Sequence, residues 1–239
     1  MNYYSYINTS DTYLDESSHA TYKGITIKTA IFLLITVLVG VGVAFLLPNI
    51  VPSKLELFIT FVGVSSFIGF IALMIGRFFE RTAKYAGFIY SFCEGVVLGT
   101  LTTIIDMFYP GTGTLAIVAT VVIFGVMLVL FSFGIIRNGS IMRMIFFGLF
   151  ASILALSIFD LIYVLSTGSS DYWLSIGIQS LILVYSVISL TFNFAEAEAV
   201  VKYGAPKRTE WSVALGMEFA LVFIYVNILR ILAILGNRR

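Results

Sequence analysis

Apolar residues run along this chain in long blocks, separated by short polar or proline-bearing breaks. A helix needs about 20 mostly apolar residues to cross about 30 Å of hydrocarbon. Seven blocks meet that requirement, at about 25–47, 55–76, 86–106, 113–136, 144–166, 174–195 and 213–236. The four prolines, Pro48, Pro52, Pro110 and Pro206, all fall between them. The blocks suit helices far better than the tilted strands of a barrel, and their connections leave no room for a soluble domain. The pattern predicts an all-α integral membrane protein, with a single seven-transmembrane-helix domain over 21–239. Residues 1–20 are polar, include Asp11, Asp15, Glu16 and His19, and lack the basic start and cleavage site of a signal peptide. They are expected to form a mobile cytoplasmic tail.

Composition strengthens the membrane reading. The chain is 59% hydrophobic and 11% charged, against about 25% charged in ordinary soluble domains, and its mean hydropathy is +1.02. Charge then sets the orientation. With the N-terminus cytoplasmic, ten basic residues lie inside (Lys23, Lys28, Arg77, Arg81, Lys84, Arg137, Arg143, Lys202, Lys207 and Arg208), and the outer loops carry only Lys54. Arg238 and Arg239, at the outer end of a seventh span, run against the rule. The single cysteine, Cys93, excludes an internal disulfide.

A charge at mid-membrane costs at least about 2.5 kcal/mol on insertion scales, so such residues usually pair or line a path. Four lie well inside the predicted spans, away from their ends: Glu94, Asp160, Glu218 and Arg230. At about 1.5 Å of rise per residue, Glu94 lies about 12 Å and Glu218 about 9 Å from the cytoplasmic ends of their helices. Asp160 and Arg230 lie about 24 and 27 Å deep, in a second layer. That second layer is expected to hold a structural ion pair between the fifth and seventh helices, with Asn227 one turn from Arg230 adding a hydrogen bond. The functional alternative is an outer gate. In the first layer, two carboxylates brought close in a low dielectric cannot both ionise cheaply, which makes Glu94 and Glu218 a candidate pH sensor. The alternative is that each acid bonds a neighbouring helix separately. Glu196 and Glu198 at the inner end of the sixth span, with Arg77 ending the second, are expected to form a charged cytoplasmic mouth or simply solvated helix ends. Around Glu94, the residues Ser91, Gly95, Gly99 and Thr103 recur every four positions, so this face should admit another helix closely.

The parts of familiar catalytic sites are missing. There is no H-E-x-x-H, G-x-S-x-G, P-loop or cysteine cluster, and the only histidine lies outside the spans. The chain is expected not to be an enzyme and to need no cofactor. Its basic residues are accounted for by topology, which argues against nucleic acid as a partner.

The loop YGAPKRTEW at 203–211, the following IYVNILRIL, KGITIKTA near the start, EGVVLG in the third span and FYPGTG after it occur in an order and spacing that resemble the Bax inhibitor-1/YccA-like family. The resemblance is to the bacterial branch with a G-A-P-K-x-x-E-W loop, and runs from about residue 20 to the end. It implies a bacterial inner-membrane protein, with the last helix at the centre of the bundle and the other six around it. Some relatives behave as pH-sensitive calcium leak channels, in which carboxylates on the sixth and seventh helices and an arginine on the second control a closure. Others modulate a membrane-bound protease, and the eukaryotic ones suppress cell death. Where the branch has L-D-F-D-F-I-E, this chain reads LTFNFAEAE, with Thr191 and Asn193 at acidic positions and Glu196 retained. Asn227 stands where the branch often has glutamate, Glu94 matches the branch's E-G motif, and Arg77 is the candidate second-helix arginine.

Two functions are therefore carried forward. One is a cation pathway, for calcium, gated by protonation of Glu94 and Glu218 with Glu196, Glu198 and Arg77 at its mouth. Calcium takes six to eight oxygens, so Glu94 and Glu218 alone would bind it weakly and transiently. The other is a non-conducting regulator in the lipid bilayer that binds a membrane protease or another membrane protein.

Overall fold

A computed structural model describes residues 19–133, 140–168 and 171–236, and over 48–59, 132 and 140–141 the backbone alone. Its elements are all helical: α1 (Tyr22–Phe78), α2 (Ala83–Phe108), α3 (Thr112–Ser132), α4 (Ser140–Thr167), α5 (Tyr172–Lys202) and α6 (Thr209–Gly236). Seven stretches are long and apolar enough to cross a membrane, two of them in α1, at Tyr22–Leu47 and Thr60–Phe78. Those two spans lie side by side on α2. The Thr36 hydroxyl of the first meets the backbone oxygen of Ser91 at 3.1 Å, while a Cβ on Gly69 of the second would stand 3.1 Å from Cys93 Cβ.

Membrane helices must satisfy their polar groups within protein. The hydroxyls of Thr26, Thr29, Thr100, Thr103 and Thr120 accordingly donate to the carbonyl four residues back. Helix ends are closed in the same spirit. The Thr21 hydroxyl accepts from Gly24 N at the start of α1, and Asp171 accepts from Leu174 N at the start of α5. Asp106, near the end of α2, accepts from Gly113 N and the Thr112 hydroxyl, both at 2.8 Å, and so fastens α2 to the start of α3.

Close approach of the first span of α1 to α2 follows from the missing side chains at Gly40, Gly95 and Gly99. A Cβ on Gly99 would fall 2.4 Å from Gly40 O, and one on Gly95 would fall 2.7 Å from Thr36 O. The small-residue face around Glu94 is thus a helix-packing seam.

The core gathers on α6, whose Val213, Ala214, Leu215, Ala220, Ile224 and Leu229 are fully enclosed. Both spans of α1, and α2, α3 and α5, pack against it; α4 packs on α5 alone among the described residues. The last helix is central, but five spans surround it rather than the expected six.

The segment before α1 is tied down. Ala20 N donates to Ala205 O at 2.8 Å, His19 Nδ1 donates to Gly204 O at 3.0 Å, and His19 forms an antiparallel bridge with Pro206. His19 and Ala20, expected to belong to the tail, are thus held against the loop after α5. Residues 1–18, Arg137 and the terminal Arg238 and Arg239 lie outside the described residues.

Candidate functional site

Glu218 sits about a third of the way along the apolar central helix, with none of its surface exposed. Its carboxyl reaches two other elements. Thr36 of α1 donates its hydroxyl to Oε1 at 2.7 Å, and Ser91 of α2 donates to Oε2 at 2.9 Å. Each hydroxyl also faces a backbone acceptor: Ser91 O lies 3.1 Å from Thr36 Oγ1, and Gly87 O lies 2.9 Å from Ser91 Oγ. A hydroxyl has one proton to give. With Glu218 ionised, both protons point at the carboxylate. With Glu218 protonated, its own O–H donates to one hydroxyl oxygen, and that hydroxyl turns its proton to the backbone carbonyl. The cluster closes in both states, and the proton's presence is written into the directions of bonds joining α1, α2 and α6.

Glu94, one turn further along α2 from Ser91, is half-buried and lies within electrostatic range of Glu218, with the buried Tyr90 beside both. No hydrogen bond joins the two carboxyls among the described residues. Glu218 is bonded to neighbouring helices, as the alternative reading has it.

Arg77, in the last turn of the second span, donates to both carboxylate oxygens of Glu196 on α5, at 3.2 and 2.8 Å, and to Ser212 O of α6 at 3.0 Å. Room for it comes from Gly216, where a Cβ would stand 2.8 Å from Arg77 Nη1 and 2.6 Å from Asn193 Oδ1. One arginine thus ties three elements at one end of the bundle. Glu198 is exposed and does not join them.

The expected pairing of Asp160 with Arg230 within the chain is not formed. Helix α4 has no contact with α6 among the described residues; Asp160 Oδ1 is enclosed without a hydrogen-bond partner, and Arg230 is exposed. Similar depth does not bring the two together, because α5 intervenes between their helices. Asn227 likewise donates to Phe223 O of its own helix at 2.7 Å instead of supporting Arg230.

A second buried carboxyl, Glu210, escaped the sequence reading because it sits at a helix start, where acids are ordinary. It is fully enclosed. Its Oε1 accepts from Thr21 N at 2.8 Å and from the Thr21 hydroxyl at 3.3 Å, and its Oε2 pairs with Lys28 Nζ. Lys28 also donates to Lys207 O at 3.3 Å and lies 4.9 Å from the centre of the Trp211 ring, which packs with Phe32 and Phe88. The G-A-P-K-x-x-E-W loop is therefore a latch: Gly204 takes φ +65, Ala205 and Lys207 offer carbonyls, Glu210 binds the start of α1, and Trp211 lies under the lysine. A signal was present in this loop, whose acid stands three residues after Lys207 beside the tryptophan. Among the described residues, no group of three or more His, Cys, Asp or Glu is placed to hold a metal ion.

A family model described as Bax inhibitor 1 like matches residues 4–237. No curated protein and no solved structure matches.

Proposed function

The chain belongs to the Bax inhibitor 1 like family, and we propose that this multi-pass membrane protein gates a cation pathway, for calcium, by protonation of Glu218 with Glu94 beside it. The observation that carries the reading is the carboxyl of Glu218 on the central helix, held by one hydroxyl from α1 and one from α2. A proton arriving there reverses a hydrogen bond at a three-helix junction, which is the kind of local electrostatic event that biases a packed element between two arrangements. Glu94 and Tyr90 are the titratable groups facing that carboxyl. The Arg77–Glu196 pair serves as the closure at one end, with Glu198 outside it, and calcium is bound weakly and in passing. In this reading the end bearing Lys28, Arg77 and Lys207 faces the cytoplasm of a bacterium, and the protein works in its inner membrane without catalysis or a resident cofactor.

One specific observation favours a second reading, a non-conducting regulator of a membrane protease or another membrane protein. Thr191 and Asn193 stand where the resemblance to the family's bacterial branch implies acids, and Arg77 has Glu196 as its carboxylate partner.

Calcium flux into liposomes holding the purified chain, at about pH 6 and pH 8, separates the two readings. The native chain is expected to show pH-dependent flux and the Glu94→Gln, Glu218→Gln variant to lose that dependence. Folded protein with no flux above empty liposomes would leave the regulator reading and make both acids structural.

A further inference from the structure

We propose that the segment leading into α1 is a strap released by the proton on Glu218: with that carboxyl ionised the strap stays latched to the loop before α6, and with it protonated the latch loosens. The inference rests on the reading of Glu218 as the group that takes the proton, and not on any ion passing through the bundle.

The first span of α1 meets α6 at three positions four residues apart. Lys28 pairs with Glu210, the Phe32 ring packs on Trp211 with centroids 5.5 Å apart, and Thr36 donates to Glu218 at 2.7 Å. Helix α1 is unbroken from Lys28 to Thr36, a length of about 12 Å at about 1.5 Å of rise per residue. Phe32, between them, is fully enclosed and seated where Gly87 has no side chain. Latch and proton site are the two ends of one packed seam, so movement of α1 against α6 at one end is felt at the other.

With Glu218 ionised, the Thr36 hydroxyl donates to a carboxylate, and such a charge-assisted bond is about twice as strong as a neutral one. With Glu218 protonated the bonds still close, but none of them carries a charge. Protonation therefore weakens the hold of α6 on α1 about two turns from Lys28. The slack falls on the strap, which hangs on Ala20 N to Ala205 O, His19 Nδ1 to Gly204 O and Thr21 N to Glu210, with His19 and Thr21 exposed. Segments with few buried contacts open first. Glu94 and Tyr90 of α2 are the titratable groups facing Glu218. Lys28 of α1, and Lys84 of α2 across the Trp211 ring, are the charges facing the latch. Coupling between two sites is reciprocal, so a broken latch makes Glu218 easier to protonate.

The experiment measures the distance between spin labels on the full chain in liposomes. The labels sit on Lys23→Cys at the start of α1 and Lys202→Cys at the end of α5, both exposed, in a Cys93→Ser background. The distance is expected to be short at about pH 8 and longer at about pH 6; histidine titrates in this range too, so the comparison is repeated with His19→Gln, which should leave the change in place. Glu218→Gln, neutral at every pH, should give the longer distance at both. If that variant fails to fold, Thr36→Val, which cuts the link, should give one distance at both pH values. Gly24→Ala strains the latch without changing a charge. It should raise the pH at which the infrared carboxyl band of Glu218, identified by its loss in Glu218→Gln, is half formed by about 0.7 unit or more, the equivalent of a fivefold coupling. A distance that ignores pH, a change that survives Glu218→Gln or Thr36→Val, or a carboxyl band that Gly24→Ala leaves in place would overturn the strap. Calcium flux that follows pH while the strap stays still would overturn it and leave the gate. A strap that moves without flux would support it and remove the cation reading.

Discussion

Replacing Lys28 by methionine should be among the most damaging single changes at the end of the bundle where α1 begins, and worse than Glu210→Gln on the same pair. Glu210 is fully enclosed, and the Lys28 side chain is 12% exposed. Removing one partner of a buried ion pair costs about 3–5 kcal/mol, because the other charge is left unmatched. After Lys28→Met the carboxylate keeps only Thr21 N and its hydroxyl, so the cost should fall toward about 5 kcal/mol. After Glu210→Gln the lysine keeps Lys207 O and the Trp211 ring, and the amide oxygen can still accept from Thr21, so the cost should be nearer about 3 kcal/mol. The double variant removes both charges together and should show a coupling of about 2 kcal/mol or more. Equilibrium unfolding in mixed detergent micelles, run as a double-mutant cycle, measures this. Effects that add to within about 0.5 kcal/mol, or a Lys28→Met variant milder than Glu210→Gln, would refute the latch.

Gly24→Ala should break the same latch, since a Cβ there would lie 2.3 Å from both Glu210 carboxylate oxygens; its unfolding midpoint should drop alongside that of Glu210→Gln. Gly99→Ala should destabilise by about 1–3 kcal/mol by forcing α1 off α2, while Gly42→Ala, with nothing within 4 Å of the added carbon, should be neutral or up to about 1 kcal/mol stabilising. Thr36→Val keeps the shape and removes one donor to Glu218, so it should cost about 1–3 kcal/mol and alter the pH response of flux without touching a charge; an unaltered response would remove the hydroxyl from the proposed gate. Gly216→Ala should push Arg77 off Glu196, and a further Arg77→Gln in that background should cost less than Arg77→Gln alone in the same unfolding assay.

Much of the architecture was readable because the membrane imposes it. Seven apolar blocks of sufficient length leave little choice but helices; Pro110 and Pro206 fall between helices, whereas the backbone of α1 stays helical through Pro48 and Pro52. Depth along each helix was readable too, since rise per residue is constant, and Glu94 lies within electrostatic range of Glu218. Rotation and neighbourhood were not. Asp160 and Arg230 had matching depths, yet which helices adjoin is decided by packing across the whole bundle, and α5 stands between theirs. Thr36 and Ser91 gave no sign of their role, because a hydroxyl in a membrane helix usually bonds its own backbone.

The sequence by itself determined the solvent, the number of spans and the positions of Glu94 and Glu218 along their helices, all of which follow from local composition and a fixed helical rise. Only the tertiary structure decided which charges meet: Arg77 with Glu196, Lys28 with Glu210, and Glu218 with two hydroxyls 127 and 182 residues away in sequence. The reason is that side-chain contacts depend on helix rotation and on close approach at Gly40, Gly99 and Gly216. Both are set by packing between elements distant in sequence.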